Sequence, residues 1–418
     1  MSSAPTTEIS VREARALVLE AARSPLAPEE AGLLDAAGRV LAADLVAPRD
    51  LPPWDNSQMD GYAVRGADLA ADARLDVIET VLAGQTPSRT VGPGQAIRIM
   101  TGAPMPKGAD TVVPVESTAA DGRDAMRLTA KSPMRGDFVR HAGEDVRGGT
   151  VAITKGTLLT PAAIGVAASL GLARVPVYRR PVVAILATGD ELVDPGTEAG
   201  PNRIYASSSA ALAAAVRRAG GEPRYAGIAA DTRDALRAKL AEALAGADVL
   251  LTTGGVSVGE ADHVRETLAE LGVEMRFWRV AQKPGYPLLF GTLRNTLVFG
   301  LPGNPVSTLV SYEIYVQPAL LRLQGRQRAF LPVIEAALLA PVKGGGTRFQ
   351  FLRGVVTTER GVLSVRTTGS QSSGVLTSLL LGNALILVPP GSENLPIGAR
   401  VQVQVLDPDF FLEHTPGF

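Results

Sequence analysis

The sequence predicts a multidomain α/β protein whose central part is a doubly wound α/β/α domain with a parallel-rich sheet. Apolar runs rich in β-branched residues alternate with helix-like runs between residues 180 and 324. Four of these apolar runs lead into polar loops with glycine or proline, as parallel strands do at their carboxyl ends. The flanking regions instead contain short β-type runs, and 418 residues leave room for several domains.

The N-terminal region is predicted to be α/β with an inserted β-rich domain. Residues Ser10 to Glu13 match the capping-box pattern and predict a helix that ends near Ala22. Two further helices are predicted, at 28–34 and 161–170. Four short β-type runs lie between them, at 76–82, 95–100, 111–115 and 126–129. We therefore predict an N-terminal domain of residues 1–64 and 137–178, with an inserted domain of residues 65–136.

The central domain, residues 179–326, is predicted from four strands that each precede a helix. The strands are predicted at 181–187, 224–228, 248–253 and 296–299. The helices are predicted at 207–219, 232–244, 263–271 and 308–323. Asp231 stands just before the second helix, where an aspartate commonly caps the helix N-terminus. This alternation places helices on both faces of a mainly parallel sheet.

The C-terminal region, residues 327–418, is predicted to be a small β-barrel. Its strand-like runs are at 330–338, 350–356, 362–366, 384–388 and 400–405. A short helix is predicted at 377–381. Lys343, Arg348 and Arg353, with the serines at 370, 372 and 373, are either ligand contacts or a solvated basic surface with a serine turn.

Composition excludes several classes of function. With 41 Lys and Arg against 42 Asp and Glu, the net charge is close to zero, so we expect no nucleic-acid or membrane surface. The absence of cysteine excludes disulfides and thiolate chemistry, and the three histidines are too scattered for a zinc site. The first twenty residues lack the apolar core of a signal peptide, and no apolar run is long enough for a membrane span. We expect a cytoplasmic protein.

The polar loops of the central domain combine two kinds of chemistry. Gly254, Gly255 and Gly259, with Ser257, would let backbone amides approach an oxyanion at a helix start. The carboxylates, Glu191, Asp231 and Asp262, would repel that anion unless a hard cation lay between them, so the set indicates Mg²⁺ with a phosphorylated ligand. Each loop alone is more often a plain turn or cap, and none is a Walker A or dinucleotide motif. Their convergence on one sheet edge favours a ligand site.

Several motifs resemble those of the molybdopterin molybdenumtransferase family, the MoeA type, which is also found as the C-terminal domain of gephyrin. The resemblance covers nearly the whole chain. Three motifs lie in the central domain: Thr188-Gly-Asp-Glu-Leu192, Thr253-Gly-Gly-Val-Ser-Val-Gly-Glu-Ala-Asp262 and Gly300-Leu-Pro-Gly-Asn-Pro-Val-Ser307. Three others precede them: Pro53-Trp-Asp-Asn-Ser-Gln-Met-Asp-Gly-Tyr-Ala-Val64, Arg98-Ile-Met-Thr-Gly-Ala-Pro104 and Gly143-Glu-Asp145. This resemblance implies a molybdopterin-binding type of central domain.

The resemblance also implies an activity, a set of site residues and partners. The protein would bind adenylylated molybdopterin and molybdate, insert the molybdenum with Mg²⁺ and release AMP. Its metal ligands would be Glu191, Asp231 and Asp262, which with Asp60, Thr101, Pro302 and Pro305 form the catalytic set. Substrate-binding residues would be Thr188, Gly189, Asp190, Gly254, Gly255, Ser257, Gly259, Arg279, Lys283, Gly303, Asn304, Ser307, Asp145, Arg353 and Ser373. The family forms homodimers in which Asp60 and Thr101 come from the partner subunit, and contacts with the molybdopterin adenylyltransferase and recipient molybdoenzymes are implied.

Four residues depart from the family pattern: Ala206, Ser208, Tyr286 and Gln350. Ala206 and Ser208 replace an aspartate and an asparagine, Tyr286 stands where a second lysine is common, and Gln350 replaces a glutamate. Two alternatives stay open, a non-catalytic cofactor carrier of the same fold and a tungstate-preferring paralogue. A third alternative, an adenylylating enzyme with the same central fold, is disfavoured because Asp60 and Thr101 lie outside the shared domain.

Overall fold

A computed structural model describes residues 8–129, 133–255, 263–359 and 361–410. The chain forms two units. The first unit consists of Met1–Glu29, Gly38–Val40 and Tyr178–Phe418. The second consists of Glu30–Ala37 and Leu41–Val177. The predicted central domain and barrel both lie in the first unit.

A six-stranded sheet forms the centre of the first unit. Its strands are β1 (Val182–Thr188), β2 (Glu222–Ala229), β3 (Val249–Thr253), β4 (Glu274–Phe277), β5 (Leu289–Leu293) and β6 (Thr296–Leu301). The spatial order is β2-β1-β3-β6-β5-β4. The first four strands in that order are parallel, and β5 and β4 continue the sheet as antiparallel strands. The predicted parallel-rich sheet is therefore confirmed, whereas β4 and β5 were not predicted.

Helices cover both faces of this sheet. The central strand β1 has apolar side chains on both faces, and both are buried by helices. Its helices are α1 (Ser207–Arg218), α2 (Arg233–Leu244), α3 (Val264–Glu270), α4 (Pro305–Ser311) and α5 (Gln317–Leu323), the last two joined by a π-helical turn, Tyr312–Val316. Val183 and Ile185 of β1 lie in one core with α1, α4 and α5. Ala184 and Leu186, which point the opposite way, lie in a second core with α2 and α3. The predicted doubly wound α/β/α arrangement is confirmed.

The N-terminal helix, Val11–Ala21, packs into the same core as α1. Its capping box is formed as predicted: the Glu13 amide donates to Ser10 Oγ at 3.2 Å, and the Ser10 amide donates to the Glu13 carboxylate at 2.8 Å. The helix predicted at 28–34 is wrong, since Pro28–Gly32 is a strand. Proline fits the first position of a strand as well as that of a helix, so it does not discriminate between the two.

A closed barrel follows α5 in the first unit. Its strands are β7 (Val333–Leu338), β8 (Phe349–Glu359), β9 (Val362–Thr367), β10 (Ala384–Val388) and β11 (Arg400–Val405). They follow the order β8-β9-β7-β11-β10, and β10 pairs with β8 to close the barrel. A short strand, Gln282–Lys283, pairs in parallel with the start of β8 and ties the central domain to the barrel. The predicted small barrel and its helix, Thr377–Leu380, are confirmed.

The second unit contains a six-stranded sheet and one helix. In spatial order the strands are Thr111–Pro114, Gly61–Val64, Gln95–Ile99, Arg74–Val81, Ala125–Leu128 and Thr118–Ala120. The helix, Pro161–Ser169, is capped by Thr160 and was predicted. The domain limits remain a prediction.

Short elements complete the described residues. The remaining strands are Leu45–Val46, Asn56–Ser57, Val139–Arg140, Val151–Ile153, Arg174–Tyr178, Leu192–Val193 and Ile204–Tyr205. The 3₁₀ turns are Gly66–Asp68 and Val115–Ser117. Among the helices that the structure describes, none combines the length and the apolar character that a membrane crossing requires.

Candidate functional site

The carboxyl ends of four neighbouring strands meet at one edge of the central sheet. Thr188 at the end of β1 pairs with Ala229 at the end of β2. On its other side β1 pairs with β3, where Ala187 lies opposite Thr253, and Thr253 in turn lies opposite Leu301 of β6. The four strands therefore end side by side at this edge, as the sequence predicts.

The glycine turn after β3 packs closely on the end of β1. Gly254 and Gly255 have φ values of +88° and +64°, which L side chains rarely adopt. A methyl group at Gly254 would lie 2.7 Å from the carbonyl oxygen of Thr188, and one at Gly255 would lie 2.3 Å from Val264 Cγ2. The fourth loop lies against this turn without such crowding, since a methyl group added at Gly303 would be 3.6 Å from the Gly254 Cα atom, an ordinary contact distance. Glycine is required here by both conformation and space.

Asp190 and Asp231 bind one another's backbone at the ends of β1 and β2. The Asp190 amide donates to Asp231 Oδ2 at 3.2 Å, and the Asp231 amide donates to Asp190 Oδ1 at 3.1 Å. The prediction that Asp231 caps the following helix is wrong: Thr232 is the N-cap residue, and no side chain caps α2. Asp231 is instead held by the neighbouring strand end, which keeps both carboxylates together at the sheet edge.

Part of the predicted metal site can be placed. Glu191 is exposed beside Asp190, and its carboxylate lies over Gly189, whose added methyl group would be 2.6 Å from Glu191 Oε2. Carboxylate oxygens of this kind are ligands that Mg²⁺ accepts. Within the described ranges, no group of three acidic, histidine or cysteine side chains is arranged to hold a metal. Asp262, Ser257 and Gly259 lie outside the described residues.

A cavity of about 550 Å³ opens between the central domain and the barrel. From the central domain it is lined by Lys283, Tyr286, Asn304 and Ser307, among others. From the barrel it is lined by Gln350, Arg353, Gln371, Ser372 and Ser373, among others. The Asn304 amide donates to Ser373 Oγ at 3.1 Å, so the two sides of the cavity are hydrogen-bonded to each other. The structure thus brings together five predicted substrate residues: Lys283, Asn304, Ser307, Arg353 and Ser373.

Arg353 is a buried cation in the wall of this cavity. Its side chain is almost fully enclosed, with 1% of the residue surface exposed. Its Nε donates to Ser378 Oγ at 3.1 Å and its Nη2 to the carbonyl oxygen of Ser372 at 3.2 Å. No carboxylate of the described residues forms an ion pair with it. Burial lowers the pKa of Arg353 to about 10, so the guanidinium stays charged at neutral pH at a cost in free energy.

The fourth loop is fixed at the start of α4. Pro305 occupies the first turn of the helix, and Thr308 Oγ1 donates to the carbonyl oxygen of Pro302 at 2.5 Å. Ser307 is buried at the helix start. The first central helix, α1, begins beside this loop: Ser208 Oγ donates to the Gly303 carbonyl at 3.4 Å, and Ala206 leaves α1 without a side-chain cap.

Asp60 and Thr101 form a bonded pair in the second unit. The amide and the hydroxyl of Thr101 both donate to Asp60 Oδ1, at 2.7 and 2.8 Å. These two hydrogen bonds lower the pKa of Asp60, which is therefore ionised at neutral pH. Asp145 is exposed on a loop of the same unit, and its amide donates to the carbonyl oxygen of Leu51 at 3.0 Å.

Sequence reasoning missed the residues that support Arg353. The Arg353 amide donates to Gln371 Oε1 at 2.8 Å, and Ser378 holds the guanidinium from the short helix after β9. Neither residue belongs to a motif, and their separation from Arg353 by 18 and 25 positions gives no local signal. The serine cluster at 370 to 373 was the one available indication.

Fold and site together define a multidomain α/β protein that carries polar loops at the carboxyl edge of its central sheet, where open α/β sheets commonly bind ligands. Three family models match the chain: "MoeA N-terminal region (domain I and II)" over residues 9–171, "Probable molybdopterin binding domain" over 184–322, and "MoeA C-terminal region (domain IV)" over 335–406. The chain belongs to the molybdopterin molybdenumtransferase family of the MoeA type.

Individual relatives match over almost their whole length. Molybdopterin molybdenumtransferase 2 of Mycobacterium tuberculosis is 38% identical over 94% of this chain and 98% of its own. Molybdopterin molybdenumtransferase of Haemophilus influenzae is 35% identical over 95% and 98%. The crystal structure of the molybdopterin biosynthesis moeA protein from Pyrococcus horikoshii OT3 has a TM-score of 0.80 and 31% identity, covering 96% of this chain and 100% of that one.

Proposed function

We propose that the protein inserts molybdate into adenylylated molybdopterin and releases AMP in a reaction that requires Mg²⁺. The observation that carries this proposal is the meeting of Asp190, Asp231 and the Gly254–Gly255 turn at one sheet edge. Paired carboxylates and a tightly packed glycine turn at the same edge suit a cation and a phosphate group held together. Relatives that are named molybdopterin molybdenumtransferase match over nearly the full chain and support the same activity.

Magnesium would be held by Glu191, Asp231 and Asp262. When bound, it would offset the negative charge of the phosphates. Asp190 has a positioning part in this arrangement, since its carboxylate accepts the Asp231 amide and its amide donates to Asp231 Oδ2. The Gly254 amide donates to the Leu301 carbonyl at 3.1 Å, so the turn would approach an oxyanion at the same edge through the Gly255 amide.

The cavity beside the barrel would hold an anionic part of the substrate. Arg353 and Lys283 supply positive charge there, and Asn304, Ser307 and Ser373 supply polar groups. Because the Arg353 guanidinium is fixed by two hydrogen bonds before any ligand arrives, its planar donors would be preorganised for a phosphate. Arg279 would add a further positive charge near Lys283.

Asp60 would act as an ionised carboxylate, because Thr101 holds it in that state. We propose, with the family resemblance, that these two residues serve the site of the partner subunit in a homodimer. Asp145, which lies in the same unit, would also serve the site of the partner subunit. As a carboxylate at neutral pH, Asp60 would accept hydrogen bonds from the ligand and would not act as a general acid.

The test is AMP release by purified protein from adenylylated molybdopterin, with and without Mg²⁺ and molybdate. Release stimulated by molybdate and abolished by chelation supports the proposal. The Asp231→Asn protein should lose AMP release but keep its fold. Asparagine can still accept the Asp190 amide, but it lacks the charge of a metal-binding carboxylate. Tight substrate binding without release would instead support the cofactor carrier, and stimulation by tungstate alone would support the tungstate-preferring paralogue. Sedimentation of the wild-type protein tests the homodimer.

A further inference from the structure

The ring of Tyr286 carries an arginine beside the cavity. The guanidinium carbon of Arg348 lies 3.7 Å from the centre of this ring, and that of Arg279 lies 5.8 Å from it. Arg279 also stacks on Trp278 at 4.1 Å. The Tyr286 hydroxyl donates to the Glu8 carboxylate at 2.7 Å. Tyr286 itself lines the cavity, so the two guanidinium groups lie beside a residue of the cavity wall.

Backbone pairing fixes this stack between the central domain and the barrel. Gln282 and Lys283 pair with Phe349 and Gln350, and the Phe349 amide donates to the Ala281 carbonyl at 3.0 Å. Arg348 immediately precedes the paired residues. The loop that carries Tyr286 is closed from the other side, because the Val280 amide donates to the Tyr286 carbonyl at 3.1 Å. The contact between Arg348 and Tyr286 is therefore built into the way the barrel joins the central domain.

Neither stacked arginine is neutralised by the protein around it. Among the described residues, no carboxylate forms an ion pair with Arg348 or Arg279. A guanidinium on an aromatic face is attracted by the ring and keeps its edge donors free. The Glu8 carboxylate binds the phenol and not a guanidinium. The stack thus holds two positive charges in place while leaving their hydrogen-bond donors available.

We propose that Tyr286 positions Arg348 at the rim of the cavity, and that Arg348 binds an anionic phosphate group of the ligand. The resemblance described above implies a lysine at position 286, and Arg348 would supply from the barrel the charge that such a lysine would carry. The identity of the phosphate as part of adenylylated molybdopterin rests on the proposed function. The recognition of a phosphate by Arg348 does not.

The experiment measures the dissociation constants of inorganic pyrophosphate, without Mg²⁺, and of adenylylated molybdopterin, without molybdate, for the full chain. Arg348→Gln should weaken binding of both about tenfold and lower the salt dependence of binding. Tyr286→Leu should weaken binding nearly as much, because it leaves the arginine in place but frees it, whereas Tyr286→Phe should bind like wild type. The matched control is Arg265→Gln, which removes a guanidinium that stacks on Trp278 at 4.2 Å and does not contact Tyr286.

Charge rescue separates a binding role from a structural one. The double variant Arg348→Gln with Tyr286→Lys should regain most of the lost affinity, while Arg348→Gln with Tyr286→Leu should not. Wild-type affinity for both ligands in Arg348→Gln, or an equal loss in Arg265→Gln, would overturn the inference. If the wild-type protein releases no AMP but pyrophosphate binding still depends on Arg348, the proposed function fails and this inference stands.

Discussion

Replacing Arg353 by methionine should weaken ligand binding strongly while changing the stability of the free protein only a little. Burial lowers the pKa of Arg353 from the ordinary arginine range to about 10. Because one pKa unit corresponds to about 1.4 kcal/mol, keeping this guanidinium charged costs about 3 kcal/mol. Since the pKa is lower in the folded chain than in the unfolded chain, this cost is present in full below about pH 10 and therefore at neutral pH.

The hydrogen bonds of Arg353 offset that cost. Two hydrogen bonds from a charged donor contribute about 1.5 to 3 kcal/mol each. Neither acceptor group is left without any partner in the variant, since the Ser378 hydroxyl still donates to the Val375 carbonyl at 2.6 Å and Ser372 is exposed to water. Methionine fills a similar volume with a flexible apolar chain. We therefore expect the free energy of unfolding of Arg353→Met to lie within about 1 to 2 kcal/mol of wild type, whereas truncating a buried apolar side chain typically costs about 2 to 5 kcal/mol.

Two measurements test this prediction on the same preparation. Urea unfolding at neutral pH gives the change in stability, and titration with adenylylated molybdopterin gives the affinity, which should fall at least about tenfold. Arg353→Lys keeps a charge but loses the planar fork, so it should bind less tightly than wild type. A loss of more than about 3 kcal/mol of stability in Arg353→Met, or unchanged affinity, would refute the reasoning.

Three further predictions concern the sheet edge and the Asp60 pair. Thr101→Val should raise the pKa of Asp60, so that AMP release is lost at a higher pH as the solution is acidified; the pH profile of Thr101→Ser should resemble wild type. Asp231→Asn should lower AMP release at least about 100-fold with an unchanged melting temperature, and substantial residual activity would exclude it as a metal ligand. Gly255→Ala should destabilise the protein by about 1 to 3 kcal/mol in thermal unfolding, whereas Gly165→Ala, in a helix with open space around it, should not.

The central sheet could be predicted because its signals are local. The side chains of β1 are apolar on both faces of the sheet, which is typical of a parallel strand covered by helices on both faces. By contrast, β5 contains Gly291, whose added methyl group would lie 2.8 Å from the Glu274 carbonyl oxygen of β4. Glycine is needed for that close approach of the two strands. Because glycine is otherwise disfavoured inside strands, its presence in the sequence argues against a strand at this position.

The candidate site was predicted only as far as motifs reach. The glycines at 254 and 255 could be identified from their loop, because positive φ values and close packing require glycine. The partner of Asp231 could not be identified, since Asp190 lies 41 positions away and local rules favour a helix cap. Likewise, whether Arg353 is a surface charge or a buried one depends on residues 18 to 25 positions away. Local chemistry was therefore more predictable than the contacts that orient it.

A comparison of which arginines in the first unit form ion pairs gives a last reason to regard the cavity as an anion site. Arg179 forms a double hydrogen bond with Asp248, at 2.6 and 2.5 Å, and Arg218 pairs with the buried Glu313. In both places the chain supplies the counter-charge itself, whereas the side chain of the partly buried Arg326 of the same unit bonds only the Gly38 carbonyl among the described residues. Beside the cavity, Arg353 and Arg348 have no such partner among the described residues, although a carboxylate would relieve the cost of burying the first. We infer that the ligand supplies the counter-charge. Burying the Arg353 charge lowers the stability of the free protein, and binding of the anion would restore that stability.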